Sequence, residues 1–281
     1  MESEHVPLNV REGTDVWELY ERNLVAVYFE PFARDLVEVA ALQLGEQVLD
    51  VGCGTGIVAR LAAPSVGPSG RVVGIDISPD MLAVAQASVG DLAVEWKEAD
   101  AHNLPFPDAS FDVVLSQQVV QFLPDRRRAL TEMRRVLRPG GRTLVSAWSS
   151  IQQAPGFAAL GRALESHVGP ESAAAVRDQG FGLSDPEALG AALQKAGFDN
   201  VTVSTHRRVI DYPSVEEFVH RYLEVVARLV PEVAMAGPAG AAKVVDEVTA
   251  TLSDYQLDGG GLSLPVATNV AMGRAPAGDA T

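Results

Sequence analysis

The sequence predicts an α/β protein with a doubly wound, mostly parallel, seven-stranded sheet and helical cap elements. From Gln47 onward, short and mostly apolar segments alternate with helix-like segments, which is typical of a parallel sheet covered by helices on both faces. The first apolar segment also runs directly into a glycine-rich turn. With 281 residues, of which 47% are hydrophobic, the chain is long enough for one sizeable core with a cap.

The N-terminal part predicts two helices within residues 16–43. Trp17, Tyr20 and Leu24 recur on one face at helical spacing. Pro31 suits the first turn of the second helix, because a first-turn residue needs no backbone N–H.

Seven strands are predicted after these helices. Each is a short apolar or alternating run bounded by turn or helix signals. In chain order they span 47–51, 71–77, 94–99, 111–117, 142–148, 200–211 and 262–272.

Further helices are predicted between and after the strands. Ser78 and Pro79 form an N-cap and first-turn pair, and Ser214 with Glu217 forms a capping box. Gly197 is expected to end a helix that begins at Asp185-Pro186. The remaining helical predictions are 125–137, short helices within 151–184, and 241–255.

Charge and composition exclude several kinds of partner. The net charge of −15 argues against nucleic acid or an anionic membrane as the main partner. The arginines at 126–128, 134, 135 and 138 fall away from an apolar helical stripe, which predicts a solvated helix face. Cys53 is the only cysteine and is interpreted as a small filler of the glycine turn. Because no apolar run approaches the ~18 residues of a membrane span and no signal-peptide pattern is present, a cytoplasmic protein is expected.

The stretch VLDVGCGTGIVARLA, residues 48–62, joins a strand to a helix through three glycines. Such a turn lets ligand atoms approach the backbone N–H groups at a helix N-terminus. The dinucleotide pattern G-x-G-x-x-G fits Gly52 and Gly54 but fails at Ile57. Asp50 precedes the turn, and a carboxylate there suits a ligand that carries an ammonium group better than a pyrophosphate.

These residues resemble the class I S-adenosylmethionine-dependent methyltransferases. The matching stretches, in family order, are D-x-G-x-G-x-G at 50–56, VVGIDISPDML, EADAHNLPFPDASFDVV and RVLRPGG. The resemblance covers residues 47–148 and is closest to the small-molecule group that includes ubiquinone- and menaquinone-type methyltransferases. The N-terminal stretch WELYERNLVAVYFEPFARDLVEVA is also similar to bacterial members of that group. The resemblance implies a Rossmann-like methyltransferase fold with S-adenosylmethionine as its cofactor.

The resemblance also implies cofactor-binding residues around the glycine turn. Gly52 and Gly54 would let the methionine end of the cofactor lie against the loop, and Asp50 would help hold its amino group. Asp76 would accept hydrogen bonds from both ribose hydroxyls. Tyr20 would close over the cofactor from an N-terminal lid.

Five further residues are implied for the two ends of the cofactor. Ile77 and Met81 would flank the adenine. Asp100 would accept from the adenine amino group, beside the backbone of Ala101. The Gln117 carbonyl, at the end of the fourth strand, would face the methionine end.

The acceptor pocket is expected between the ends of the fourth and fifth strands and the helical cap. Its candidate substrate residues are Gln118, Gln121, Trp148 and Tyr222. The run SQQVVQF lacks the D/N/S-P-P-aromatic motif of nucleobase-amino methyltransferases and the acidic cluster of catechol-type metal enzymes, so no metal is predicted. Gln121 and Phe122 stand where related enzymes often carry histidines, which removes the most obvious base. Tyr28 and Gln121 remain as the catalytic candidates.

The sequence therefore predicts an enzyme that transfers a methyl group from S-adenosylmethionine to a small, hydrophobic or aromatic acceptor at carbon, oxygen or nitrogen. Two alternatives stay open, namely a sensor or cyclase that binds the cofactor non-reactively and an NAD-type oxidoreductase. The predicted domains are an N-terminal helical lid (1–43), a cofactor-binding core (44–150), and the rest of the fold with helical insertions over the substrate pocket (151–281).

Overall fold

The computed structural model describes residues 14–174, 176–177 and 180–277. Its N-terminal part confirms the helices predicted within 16–43, although these helices follow one another without a break. They are α1 (Thr14–Tyr20), a π-helical segment (Glu21–Phe29) and α2 (Glu30–Ala40). Pro31 lies in the first turn of α2, where a missing N–H costs no helical hydrogen bond.

The sheet contains all seven predicted strands. They are β1 (Gln47–Val51), β2 (Arg71–Asp76), β3 (Val94–Glu98), β4 (Phe111–Gln117), β5 (Leu137–Trp148), β6 (Asp199–Tyr212) and β7 (Leu262–Arg274). Their order across the sheet is β3-β2-β1-β4-β5-β7-β6. The first five pair in parallel and β7 runs antiparallel to β5, so the predicted fold class is confirmed. β5 begins earlier than predicted because Leu137 already pairs with Phe111.

Helices join and cover the strands. Within the described residues, those after β1 are α3 (Ile57–Val66), α4 (Pro79–Ser88), α5 (Arg126–Val136), α6 (Pro155–His167), α7 (Pro170–Ala174), α8 (Pro186–Lys195), α9 (Val215–Leu229) and α10 (Pro231–Thr251). The region 151–184 is more regular than predicted, since α6 alone has 13 residues. The predicted start of the helix at 241 is wrong: α10 begins at Pro231 and runs through a kink at Gly237 and Pro238, a pair that interrupts the helical pattern in the sequence.

The predicted helix boundaries at three positions are confirmed by cap geometry. The Ser78 side chain accepts a hydrogen bond from the Met81 N–H, and the Ser214 side chain accepts one from the Glu217 N–H. Gly197 follows α8 with a φ of +88°, the left-handed conformation that commonly ends a helix.

Two apolar clusters cover the two faces of the sheet. Along β1, the side chain of Val48 enters one cluster and that of Leu49 enters the other, as the alternation of a strand requires. α2 and α3 contribute to the first cluster, for example through Leu36, while α5 and α8 contribute to the second, for example through Leu130 and Leu193. Burial on both faces explains why the central strands read as nearly continuous apolar runs.

The chain divides into two compact units. Unit 1 comprises 1–27, 150–182 and 207–267, and unit 2 comprises 28–149, 183–206 and 268–281. Unit 2 therefore holds the parallel strands, and unit 1 holds α1, α6, α7, α9 and α10. The predicted division at 43 and 150 stays a prediction. In the part of the chain that the structure describes, no helix is both long and apolar enough to cross a membrane.

Candidate functional site

The order of the strands creates a crevice in unit 2. β1 lies between β2 and β4, and the chain leaves β1 toward β2 but later crosses to β4 on the other side. Ligands of open α/β sheets bind outside the carboxyl ends of the strands at such a switch point. Val51, Asp76 and Gln117 end these strands, so the residues that follow them form the candidate site.

The glycine turn after β1 has a backbone that other residues adopt with strain. Gly52, Gly54 and Gly56 have φ values of +69°, +55° and +89°. A Cβ on Gly52 would also lie 2.5 Å from Val119 Cγ2, so the loop after β4 packs directly on the turn. The turn delivers the chain into α3 with only a glycine at its N-cap. The start of α3 thus has no side-chain cap to satisfy its first backbone N–H groups.

Asp76, at the end of β2, joins the glycine turn to the start of α4. Its Oδ2 accepts from the Gly54 N–H at 2.8 Å, and its Oδ1 accepts from the Ser78 N–H at 2.9 Å. Burial raises the pKa of the Asp76 carboxyl above its ordinary value, although these N–H donors oppose the shift. The carboxylate also accepts from the Ile77 N–H, and its remaining acceptor capacity can serve a ligand hydroxyl.

Asp50 places a carboxyl group beneath the glycine turn. Its side chain is buried, and its Oδ2 accepts from the Ala59 N–H in the first turn of α3 at 3.1 Å. Its Oδ1 is also buried and has no hydrogen-bond partner among the described residues. Burial, with a smaller contribution from the charge of Asp76, raises the pKa of Asp50 to about 7. A cation bound nearby would relieve the cost of burying this charge.

The residues predicted around an adenine lie along one side of this crevice. Ile77 follows β2 and is 70% exposed, and Met81 is half-buried on α4. Asp100 is exposed, and its Oδ1 accepts from the His102 N–H at 2.8 Å and lies 2.6 Å from His102 Nδ1. These contacts lower the pKa of Asp100, so its carboxylate is charged at neutral pH. Ala101 is buried next to it.

Two of the predicted substrate residues form a buried chain of hydrogen bonds behind the end of β4. Gln121 Nε2 donates to Gln118 Oε1 at 3.2 Å, and Gln118 Nε2 donates to Thr268 Oγ1 on β7 at 2.8 Å. Thr268 Oγ1 in turn donates to the Ala147 carbonyl at 2.9 Å. Gln118 adopts a φ of +56°, a strained conformation for this residue type. The chain of bonds holds that conformation and orients both amides.

The remaining predicted residues of unit 2 lie where Phe29 and Phe32 pack on the ends of β4 and β5. Gln117 Nε2 donates to the Phe29 carbonyl at 2.8 Å. The Trp148 ring, at the end of β5, lies 5.7 Å from the Phe29 ring and 5.4 Å from the Phe32 ring. Tyr28 is buried in the same segment. Trp148 therefore has a packing role whatever its contact with an acceptor.

Tyr20 and Tyr222 belong to unit 1. The Tyr20 ring makes an edge contact with Trp17 at 5.9 Å, and the Tyr222 ring makes one with Phe157 at 6.0 Å. Burial raises the pKa of the Tyr222 phenol above its ordinary value, so the hydroxyl is protonated at neutral pH. Both predicted residues thus contribute to aromatic packing within this unit.

The sequence interpretation missed Trp96, which shapes the glycine turn from β3. A Cβ on Gly56 would collide with the Trp96 ring, and one on Gly74 would lie 2.5 Å from Trp96 Cζ3. The indole therefore fills the space that two glycines leave open. No local signal marks this role, because the contact depends on the pairing of β2 with β3.

The prediction that the arginines of 126–138 form a solvated face is wrong for Arg126 and Arg135. The Arg126 guanidinium donates to the carbonyls of Val120 and Gln121 at 3.1 and 2.9 Å, which fixes the loop after β4. Arg135 donates to the Leu104 carbonyl at 2.9 Å and also pairs with acidic side chains. Both arginines bind carbonyls outside α5, which the helical pattern could not reveal.

A metal ion and a reactive thiolate each make specific demands on the described residues. Among the described residues, no group of three or more His, Cys, Asp or Glu side chains is placed to hold a metal ion. Burial raises the pKa of the Cys53 thiol, so the reactive thiolate is disfavoured.

Comparisons with known proteins agree with this geometry. Residues 49–145 match the family described as a methyltransferase domain. An arsenite methyltransferase of Halobacterium salinarum is 36% identical over 168 residues, which make up 59% of this chain and 40% of that protein. A ubiquinone/menaquinone biosynthesis C-methyltransferase of Cronobacter sakazakii is 33% identical over 185 residues, 60% of this chain and 72% of that protein.

A solved structure shares the fold. Phosphoethanolamine N-methyltransferase 2 of Haemonchus contortus, in complex with S-adenosyl-L-methionine, aligns with a TM-score of 0.61 and 20% identity over 98% of this chain and 61% of that chain. This chain spans less than half the length of several of the relatives it matches.

Proposed function

Because the chain belongs to the class I S-adenosylmethionine-dependent methyltransferases, we propose that it transfers the methyl group of S-adenosylmethionine to a small organic acceptor. The observation that carries this proposal is the glycine turn, whose backbone is linked to Asp76 through the Gly54 N–H at 2.8 Å. This hydrogen bond holds the backbone of the glycine turn next to the Asp76 carboxylate, which can accept from the hydroxyls of a ligand.

The residues present fit S-adenosylmethionine. Its ammonium group would satisfy the buried Asp50 Oδ1, which has no partner among the described residues. Its ribose hydroxyls would donate to Asp76, and its adenine would cover the exposed side chain of Ile77. Bound there, the cofactor supplies an activated methyl group on a sulfonium. We propose the remaining cofactor contacts at Gly52, Gly54, Met81, Asp100, Ala101 and Gln117, and the contact of Tyr20 stays a prediction from the sequence.

The contribution of this chain is then to orient the reactants and exclude water, which can lower a barrier by up to ~7–11 kcal/mol. Between residues 116 and 125, Asp125 is the single titratable side chain, and its carboxylate accepts from the Arg128 N–H at the start of α5. Gln118 and Gln121 can donate and accept but cannot take up a proton. The acceptor is therefore proposed to be nucleophilic enough to react without a general base from residues 116–125. If a base is needed, Tyr28, outside that segment, is the candidate.

The acceptor is proposed to be a small molecule in contact with Gln118, Gln121 and Trp148, and a substrate role for Tyr222 stays a prediction from the sequence. A hydrophobic or aromatic acceptor suits the apolar and aromatic residues among them. The net charge of −15 supports a small molecule over nucleic acid, because like charges repel a phosphate backbone.

Two measurements test the proposal. Calorimetry should detect binding of S-adenosylmethionine but not of NAD, and Asp76→Ala should weaken that binding by several-fold to a few hundred-fold, since it removes two charge-assisted hydrogen bonds. An acceptor screen with labelled cofactor should then yield a methylated product and S-adenosylhomocysteine. Tight cofactor binding without S-adenosylhomocysteine across a broad acceptor panel would favour non-reactive use of the cofactor, and absence of binding would refute the proposal.

A further inference from the structure

The loop after β3 holds a histidine against Asp100, the carboxylate proposed to accept from the adenine amino group. His102 Nδ1 lies 2.6 Å from Asp100 Oδ1, and the His102 backbone N–H donates to the same oxygen at 2.8 Å. Asp100 Oδ2, in contrast, accepts no hydrogen bond from the residues that the structure describes. Because the Asp100 side chain is 50% exposed, Oδ2 is the oxygen that remains available to a ligand.

The charge of Asp100 decides which hydrogen the imidazole presents. The His102 backbone N–H and the ring lower the pKa of Asp100, so this group is a carboxylate at neutral pH and can only accept a hydrogen bond. Nδ1 must therefore carry a hydrogen at this distance. His102 Nε2 is buried and has no partner in the described part of the chain. The hydrogen bonding of the ring is thus directed to Asp100.

Regular elements of unit 2 anchor the backbone on both sides of this pair. Before it, the Ala99 N–H donates to the Asp76 carbonyl at 2.9 Å, so Asp100 follows the strand end that carries the proposed ribose carboxylate. After it, the His102 carbonyl accepts from Arg128 Nε of α5 at 2.9 Å. The backbone that carries the imidazole is therefore fixed, and the ring can in turn fix the side chain of Asp100.

We propose that His102 is a positioning residue for base recognition, which holds Asp100 so that Oδ2 can accept from the 6-amino group of the cofactor. The inference rests on the proposed function, because it requires S-adenosylmethionine to bind beside Asp76. A single backbone N–H leaves a half-exposed carboxylate able to rotate, whereas a second donor on the same oxygen restricts that rotation before the ligand binds. A carboxylate ordered in advance loses less conformational entropy on binding.

The pair should therefore select a purine that carries an amino group. With Oδ1 already engaged, the bound base must supply a donor to Oδ2, and a base without that donor leaves the carboxylate unpaired. If His102 only stabilised the loop, its loss would instead weaken the binding of every purine ligand by the same factor. Selectivity between two bases separates these roles.

The test compares S-adenosylhomocysteine with its analogue that has hydrogen in place of the 6-amino group. Calorimetry on the full chain gives both dissociation constants without methyl transfer. The wild type should prefer the amino ligand by about tenfold or more, as expected for a hydrogen bond to a charged group. His102→Leu keeps an apolar side chain but removes the donor, so it should reduce this preference by about threefold or more. His102→Asn, whose amide can donate in place of Nδ1, should retain it.

Two further variants serve as controls. His206→Leu removes a histidine from β6, at the sheet edge opposite β3, and should alter neither affinity nor preference. Asp100→Ala should abolish the preference, and adding His102→Leu to it should then have no further effect on the preference, because the histidine acts through this carboxylate.

Three results would overturn the proposal. The first is equal weakening of both ligands in His102→Leu, and the second is a wild type that binds both ligands equally. The third is available even if His102→Leu does not fold: nitrogen-15 NMR of the unliganded wild type should show hydrogen on His102 Nδ1, and a ring with hydrogen on Nε2 alone would exclude the bond to Asp100. Failure of the wild type to bind either ligand would refute the proposed function itself.

Discussion

Replacing Asp50 with asparagine removes a charge from the interior of unit 2 and keeps an oxygen that can accept from the Ala59 N–H. The second carboxylate oxygen, Oδ1, is buried with no partner among the described residues, so the new NH₂ group would lose hydrogen bonds at that position. This loss does not vary with pH. The free-energy cost of burying the Asp50 carboxylate does vary with pH. Measurements at two pH values can therefore separate this cost from the loss of hydrogen bonds.

The magnitude follows from the pKa of Asp50, which burial raises from 3.8 to about 7. Because the folded state holds a proton that the unfolded chain releases, the free energy of unfolding falls as the pH rises across this window. At about 1.4 kcal/mol for each unit, the buried carboxylate costs about 2 kcal/mol at about pH 5.5 and about 4 kcal/mol at about pH 8. The stability of Asp50→Asn relative to wild type should therefore increase by about 2 kcal/mol over this range.

Urea unfolding of both proteins at the two pH values measures this change. Asp91→Asn, at an exposed position, is the matched control and should show no such dependence. In the same variants, Asp50→Asn should weaken S-adenosylmethionine binding at about pH 8 while Asp91→Asn should not, because the cofactor ammonium would lose its charged partner. A stability difference between Asp50→Asn and wild type that stays constant within about 0.5 kcal/mol would refute the reasoning, since it would mean that Asp50 is not a buried group with a raised pKa.

Three further substitutions probe the surroundings of the site. Gly52→Ala should lower the free energy of unfolding in urea by about 2–4 kcal/mol, because Gly52 has a φ of +69° and the new Cβ would lie 2.5 Å from Val119. Adding Val119→Ala to the same chain should restore part of this loss. If the effects of the two substitutions simply add, the two side chains do not clash directly. Glu46→Gln should cost about 1–3 kcal/mol by breaking the 2.7 Å ion pair with Arg142. Burial by itself would raise the pKa of Glu46, but the hydrogen bonds from Arg142 and the Gln43 N–H lower it. The cost of Glu46→Gln should therefore shrink in unfolding experiments as the pH falls below 4.5 and the carboxylate takes up a proton. A cost that grows at low pH would exclude the ion pair. Gln121→Ala should raise the acceptor KM more than it lowers kcat in steady-state kinetics, whereas a fall in kcat of more than ~10³ at constant KM would place Gln121 in the chemistry.

Much of the fold could be predicted because its signals are local. The strands around the glycine turn were predicted to within a residue or two, since apolar runs and turn residues lie next to each other in the sequence. Cap residues such as Ser78 and Ser214 act on N–H groups three residues away, so their roles were also readable. The start of α10 was not predicted, because the Gly237-Pro238 pair reads in the sequence as a helix break, whereas the helix continues across it with a kink.

The candidate site divides in the same way. The glycine turn and the acid at the end of β2 follow from a motif within one strand–turn–helix unit. The hydrogen bond from Gln118 to Thr268 joins residues 150 positions apart, and the sequence alone left Gln118 as a substrate candidate without that partner. The role of Arg126 likewise depends on the carbonyls of a loop that an isolated helix does not have.

The amino-acid order was sufficient for most of the strand and helix pattern, for Gly197 as the end of a helix and for the family resemblance, because their signals lie in short stretches of sequence. The tertiary structure alone decided the raised pKa of Asp50 and the contact of Trp96 with Gly56 and Gly74. Burial and desolvation are set by every element packed around a group, and those elements come together only when the strand order across the sheet is established.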